Sequence, residues 1–365
     1  MHHSDSASPA ASAVRRKLAV DAAALVLFSI LVIWLIASGS RASEAITALG
    51  LAFAAAGCFL LARLVSRLNG IVIPLLLATY AVATSAIGGD KPVPHPLGGP
   101  LGYQNANGAL YLIAGAASLV AVARLRSNWL RGLFIIAFLA FLTLTILNRV
   151  RSVSMMFLLL PIGLLVHQRS TVRKVIVVCA AGFAAALAVT SIAGATHNAP
   201  GSIGKVADAT AGVLSERRVV LWSDALDMIA SEPLFGAGVG SFARTSPTAL
   251  SDDDAIWAHH EFLQFGAETG IAGMLAAVLL AFWCFARLWV QVPLDKPASD
   301  SDAQAAFRRE LAVIAIVSIA LSSQFVHACI DYIYHFPTVL FASAVLIGTA
   351  TAGRRAVSPT DSKRR

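Results

Sequence analysis

The chain has 365 residues, 57% of them hydrophobic and only 13% charged, with a mean hydropathy of +0.74. A soluble globular domain carries roughly a quarter charged residues, so the composition excludes an ordinary soluble fold and implies a polytopic membrane protein. The net charge is +8, from 28 Lys and Arg against 20 Asp and Glu; the basic residues cluster in short segments between apolar runs, which orients spans in a bilayer and argues against nucleic acid as a partner.

The polar N-terminus ends in Arg15, Arg16 and Lys17. The apolar run after it, 18–37, is too long for the core of a cleaved signal peptide and reads as a retained anchor. Hydropathy and length then give an all-α polytopic membrane protein with about ten transmembrane helices. They fall near 18–37, 45–65, 71–88, 105–123, 129–147, 152–167, 174–194, 262–286, 310–330 and 336–353. One alternate set of short loops holds Arg63 and Arg67, then Arg124, Arg126 and Arg131, then Arg169, Arg173 and Lys174, then Arg287, Arg308 and Arg309, and finally Arg354 and Arg355. That set is cytoplasmic by the positive-inside rule, which puts both termini inside. The domain reading is a cytoplasmic tail 1–17, a first bundle 18–194, a large external loop 195–258, a second bundle 259–353 and a tail 354–365. Cys58, Cys179, Cys284 and Cys329 sit in apolar runs without metal-like spacing and read as small buried hydrophobes.

Three external features depart from this plain pattern. The stretch from Gly88 to Asn107 is dense in Pro and Gly and reads as an ordered turn, a re-entrant loop or a plain surface loop. Its Tyr103–Asn107 end carries the polar side chains, Asn105 among them. Arg149 and Arg151 flank Val150 at the external end of a span, against the positive-inside trend. The third feature is the long external loop itself, which contains an amphipathic helix.

Chemistry concentrates from Arg217 to Gly273. The first part has helical periodicity, with Arg218, Trp222, Ala225 and Ile229 on one face, so a guanidinium stands beside an indole. Pro233 stops that helix, and Gly236, Gly238 and Gly240 allow either a tight turn or close approach of backbone to a ligand. The glycines do not match a dinucleotide-binding fingerprint, because they follow a helix and have the wrong spacing. His259 is expected to open a second helix that runs on into an apolar span. On that helix His259, Leu263, Gly266, Gly270 and Gly273 share one side, and Glu261, Phe265 and Glu268 another. Such a glycine stripe lets a neighbour pack closely under the histidine.

Arg149, Arg151, Arg217 and Arg218 therefore supply fixed positive charge on the outer face. Arginine grips phosphate through a planar fork, so a diphosphate at headgroup level is the fitting ligand, with ion pairing to lipid or to Glu216 as the plainer role. A histidine at an aqueous interface serves as a general base, and His259 and His260 both qualify. A zinc-protease pattern starting at His260-Glu261 fails, because Gln264 stands where the second metal ligand belongs. Asp252-Asp253-Asp254 reads as a solvated acidic loop more readily than as a metal site. Glu268 lies about 13 Å deeper than His259 along a helix, where an ionisable group is either functional or paired. His327 and Asp331, near the outer end of a later span, are the groups that would meet it or the arginines.

These residues resemble the O-antigen ligase and polymerase family. The likeness rests on R-x-x-x-W (Arg218, Trp222), P-L-F-G-x-G-x-G-x-F (Pro233 to Phe242), H-x-E-F-L-Q (His259 to Gln264) and E-x-G-x-x-G (Glu268 to Gly273). GPLGYQNANG upstream, VRSVSMM around Arg151 and HACIDYIYHFP near the end resemble flanking family motifs, with His260 where asparagine or serine is usual. The resemblance implies a membrane glycosyltransferase whose external loop caps the active site. It would move a glycan from polyprenyl (undecaprenyl) diphosphate to an acceptor hydroxyl on a glycan, glycolipid or protein, without cofactor or metal. Arg151 and Arg218, with Arg149 and Arg217, would hold the diphosphate. His259 would be the general base, with Trp222, His260, Glu261, Glu268, Asn105 and Asp331 in support. The site would face outward from the plasma (inner) membrane. A polysaccharide polymerase of the same family shares this donor chemistry, and a transporter for a small anion or lipid-linked sugar is the alternative from another class.

Overall fold

The computed structural model describes residues 42–68, 101, 103–147, 150–165, 216–252, 255–290 and 301–352, together with 19, 21–23, 26 and 76. The described residues form helices joined by turns and loops, without a strand. In chain order the helices are α1 (Ala42–Leu68), α2 (Gln104–Arg124), α3 (Asn128–Leu147), α4 (Arg151–Leu159), α5 (Ile162–Leu165), α6 (Glu216–Ser231), α7 (Phe242–Thr245), α8 (Pro247–Ser251), α9 (Glu261–Trp289), α10 (Ser301–Ala328) and α11 (Pro337–Thr351). Five of them contain stretches long and apolar enough to cross a membrane: Ile46–Val65, Gln104–Arg124, Asn128–Ile146, Glu261–Trp289 and Ala303–Ala328. The apolar Pro337–Thr351 is shorter. The spans expected near 18–37, 71–88 and 174–194, the two tails and residues 195–215 lie outside the described residues or are touched by them only at isolated positions.

The chain divides into two compact units, residues 51–217 with 297–365, and residues 1–50 with 218–296. In the first of these, α2 is the central helix, and every residue from Ala106 to Ala121 is buried. A helix apolar on all sides is stable only when surrounded, and its small residues let neighbours come close. A Cβ added at Gly108 would stand 2.8 Å from Val150 Cγ1, and one at Gly115 would strike the Phe157 ring, so α4 lies tight against α2. Gly163 brings α5 onto α10, where an added Cβ would meet the Ile316 nitrogen at 2.9 Å. Gly348 of α11 seats likewise on Phe59 and Ala62 of α1. Two polar side chains tie the helices: Gln324 Nε2 donates to Ala109 O at 2.9 Å, and Arg124 Nη2 to Thr349 O at 3.2 Å. Arg124 also pairs with Glu310 at 3.5 Å.

The span expected near 152–167 is not one continuous helix. Pro161 has no N–H with which to continue the ladder. Leu160 N donates instead to Phe157 O, and the chain resumes as α5 after a turn.

In the second unit, α6 packs its Leu221, Ala225 and Met228 against Phe242 of α7, Ala249 of α8, Ala255, Ala258 and Ala267. The long helix α9 departs from the expectation in two ways. It starts at Glu261 rather than His259, and it breaks at Gly270, whose φ of 74° and ψ of 176° are not helical. From Ile271 to Trp289 the remaining helix is about 28 Å long, close to the roughly 30 Å of a bilayer core. Ile271, Leu275, Leu279 and Phe282, at helical spacing, expose their apolar side chains along this part, as a lipid-facing stripe would. At its far end Arg287 is buried and paired with Asp21 at 2.6 Å. Cys58, Cys284 and Cys329 are free thiols and partly buried, and Cys179 lies outside the described residues.

Candidate functional site

The break in α9 is built by the glycine-rich segment. Gly236, Gly238, Gly240 and Gly270 all have positive φ, a region glycine enters without steric cost. A regular helix would bond Ile271 N to Ala267 O. Here Ile271 N donates to Pro233 O at 2.9 Å, while Ala237 N takes Ala267 O at 2.9 Å and Gly238 N takes Glu268 O at 3.0 Å. Ile271 N and the carbonyls of Ala267 and Glu268 thus each acquire a partner at the break, as a buried backbone requires. A Cβ at Gly236 would strike the backbone of Glu268 and Thr269, and one at Gly270 the Leu234 carbonyl. The glycines therefore serve close approach to another backbone, that of α9. The stripe beneath the histidine holds helix against helix only at Gly266, which faces Ile229 of α6.

The two histidines have different jobs. His260 is the N-cap of α9, and its Nδ1 accepts from Leu263 N at 3.2 Å. This is the role for which Asn and Ser are preferred. An accepting Nδ1 carries no proton, so the neutral ring bears its proton on Nε2. Burial accordingly pushes the His260 pKa down, against the opposing pull of its own backbone hydrogen bond and of Glu261. Glu261, in the first turn, complements the helix dipole. His259, half-buried, is the one non-glycine residue among the described residues with positive φ, at 52°. Trp222 Nε1 donates to its carbonyl at 3.3 Å, and the Trp222 ring meets the His260 ring edge-on at 5.4 Å. Arg218, half-buried, stands one helical turn before Trp222 on α6, with Arg217 beside it exposed.

Glu268 is buried and accepts from Phe242 N at 3.4 Å and from Gln264 Nε2 at 3.2 Å. The other end of the Gln264 amide accepts from Ala258 N at 2.9 Å. The sequence offers Gln264 as the end of H-x-E-F-L-Q and as a failed metal ligand but gives it no role; its place one helical turn before Glu268 is the signal. Asp224 was also missed. Burial would raise its pKa, but hydrogen bonds from Ser246 and Thr248 prevail and hold it below the usual carboxylate value. Asp224 thereby fastens α6 to α8, where Ser246 caps the helix and Pro247 opens it.

In the other unit, Asn105 and Asp331 meet. Tyr103 Oη donates to Asp331 at 2.8 Å, Asn105 Nδ2 donates to the same carboxylate, and Tyr332 N donates to it at 2.9 Å. The Tyr103 ring stacks on Tyr332 at 4.9 Å and on Phe336 at 5.6 Å. Burial, then the Asp331 charge, pushes the Tyr103 phenol far up. Asp331 thus lies with Asn105, and His327 is buried on α10. Arg151 is the first residue of α4, just after Val150, which packs on Gly108 of α2. The Arg151 side chain, and Arg149, Asp253 and Asp254 altogether, lie outside the described residues.

No curated protein matches the chain. Residues 136–278 match a family model described as O-antigen ligase. The match runs from within α3 through α6 and into α9, taking in Arg151, Arg218, Trp222, both histidines and Glu268. Among its described residues the protein is thus all-helical with five stretches able to cross a membrane, and its central part, residues 136–278, matches the O-antigen ligase family.

Proposed function

We propose that the protein is a membrane glycosyltransferase of cell-surface polysaccharide assembly. It would transfer a glycan from polyprenyl (undecaprenyl) diphosphate to an acceptor hydroxyl, facing outward from the inner membrane with both termini in the cytoplasm. The observation that carries this reading is the division of labour between the histidines. His260 is committed to capping α9, while His259 is held in a left-handed backbone by the tryptophan one turn from Arg218. Non-glycine residues in that region cluster at functional sites.

In this reading His259 takes the proton from the acceptor hydroxyl, a contribution typically of 10²–10⁴-fold. Arg218 absorbs charge that develops on the departing diphosphate. A diphosphate ester is already a good leaving group, so the chemistry requires no metal. Attack from the face opposite the leaving group inverts the anomeric centre. Arg217, Arg149 and Arg151 are proposed as further phosphate ligands from their places in the sequence. Trp222, His260, Glu261 and Glu268 are proposed as supports, and Asn105 and Asp331 likewise within their own unit.

The test is transfer from a purified polyprenyl-diphosphate glycan to a panel of acceptors. Wild type should release polyprenyl diphosphate, and His259→Ala and Arg218→Ala should lose that release while still folding. The product names the acceptor and so separates ligase from polymerase. The break at Gly270 beside a buried acid is the one observation that favours a transporter. Against it, the freed backbone groups are stitched to residues 233–238 and the acid holds Phe242 N and Gln264. Flux of lipid-linked sugar in proteoliposomes without any transfer would favour that second reading.

A further inference from the structure

We propose that Gln264 is a positioning residue for His259 and that Glu268 sets the direction of its amide. The inference rests on the reading of His259 as the base and adds the device that holds it.

Gln264 is 1% exposed and Glu268 7%. They stand one helical turn apart in the segment of α9 before the break, with their side chains joined. A side-chain amide has one accepting and one donating end, and only its partners decide which way it faces. The Glu268 oxygen that meets this amide, Oε1, acts as an acceptor. Glu268 therefore draws Nε2, and Oε1 is left toward Ala258 N, where it accepts at 2.9 Å. Phe242 N holds the same Oε1 of Glu268 at 3.4 Å, so the carboxylate is anchored from α7 as well.

Ala258 immediately precedes His259. The strained residue is thus gripped on both sides: Gln264 holds the N–H before it, and Trp222 holds the carbonyl after it. Left-handed backbone is disfavoured for a residue with a Cβ and persists only where the surroundings over-determine it. If Oε1 and Nε2 exchanged places, two donors would face each other at Ala258, and the grip would be lost. His259 would then relax toward ordinary dihedrals and carry its imidazole away from the acceptor. Glu268 in this account moves no proton. It acts through Gln264, and its charge is less important than its accepting oxygens.

Three near-isosteric variants of the full chain should behave differently. Glu268→Gln can still accept from Gln264 Nε2 and Phe242 N, so kcat should fall by no more than about threefold. Gln264→Glu removes the donor that Glu268 requires and opposes two acids, so kcat should fall about 10²-fold, the cost of a roughly 1 Å misplacement. The donor KM should change less than about threefold, because the phosphate ligands are untouched. The double variant Gln264→Glu with Glu268→Gln restores a consistent set: the new acid accepts from Ala258 N, and the new amide donates to it. It should recover to within about threefold of wild type.

Thermal unfolding of each variant identifies those that fold. A purely structural role would lower yield and melting temperature together, without separating kcat from KM and without rescue. If Gln264→Glu does not fold, the double variant still decides: folded and active supports the proposal, folded and inactive overturns it. Loss of about 10²-fold in Glu268→Gln would overturn it by making Glu268 a proton-transfer group. An active wild type with an unaffected Gln264→Glu overturns this inference alone. A wild type that turns over no donor overturns the function and this inference together.

Discussion

Substituting Gly236 by alanine tests whether the glycine segment builds the break in α9. The position has a φ of 68°, and an added Cβ would collide with the Glu268 carbonyl carbon and the Thr269 nitrogen, both backbone atoms. The left-handed conformation alone costs about 1–2 kcal/mol. Overlap with atoms that cannot rotate away adds about 1–3 kcal/mol, giving a loss of about 2–5 kcal/mol. Gly240 is the internal control. Its φ of 70° is nearly the same, but an added Cβ would meet Glu44 Cδ at 3.3 Å, the end of a side chain that can give way. Gly240→Ala should therefore cost only the conformational part, about 1–2 kcal/mol. Gly132, inside α3 with nothing within 4 Å of an added Cβ, should tolerate alanine without loss. Unfolding of the three purified variants in detergent, followed by circular dichroism, should rank them Gly132→Ala above Gly240→Ala above Gly236→Ala. If Gly236→Ala is as stable as Gly240→Ala, the backbone interlock is wrong.

Further outcomes follow from single contacts. His260→Asn preserves the cap on α9 and should leave stability nearly unchanged, whereas His260→Ala should cost about 1 kcal/mol. Because burial lowers the His260 pKa, the unfolded chain binds the proton more readily than the folded one. The contribution of neutral His260 is then fully present above its ordinary value near 6.5 and is lost as pH falls toward the folded value. A stability profile from pH 8 to 5 should lose that slope in His260→Asn. Asp224, held low by Ser246 and Thr248, has its contribution above about pH 4 and loses it as pH falls through the depressed folded value, so Asp224→Asn should flatten the acid limb. The exposed Arg244–Glu44 pair, 2.6 Å apart, should be worth at most about 1 kcal/mol by double-mutant cycle.

The long apolar stretches were readable because a bilayer demands about twenty apolar residues in sequence. The expected spans near 45–65, 105–123 and 129–147 each fall within one helix, while that near 262–286 overlaps α9 with its break and that near 310–330 overlaps α10. The break at Gly270 was not readable. A glycine in a helical pattern does not ordinarily end a helix, and this one does so because Gly236 and Gly238 bring a second backbone against it. His259 and His260 were identifiable as a pair, but their roles depend on one backbone torsion and one Nδ1 hydrogen bond. Asn105 and Asp331 were each noticed, yet their meeting spans 226 positions of sequence and is fixed by tertiary packing alone. The role of Gln264 was not legible, because a buried amide has no local pattern of its own; its meaning comes from Ala258 and Glu268 together.

The most direct test of the account compares His259→Ala with His260→Asn in transfer from a polyprenyl-diphosphate glycan, with EDTA present throughout. His260→Asn should transfer at close to the wild-type rate, while folded His259→Ala should lose at least about 10²-fold. Equal loss in both, or loss only in His260→Asn, would contradict the assignment of His259 as the base.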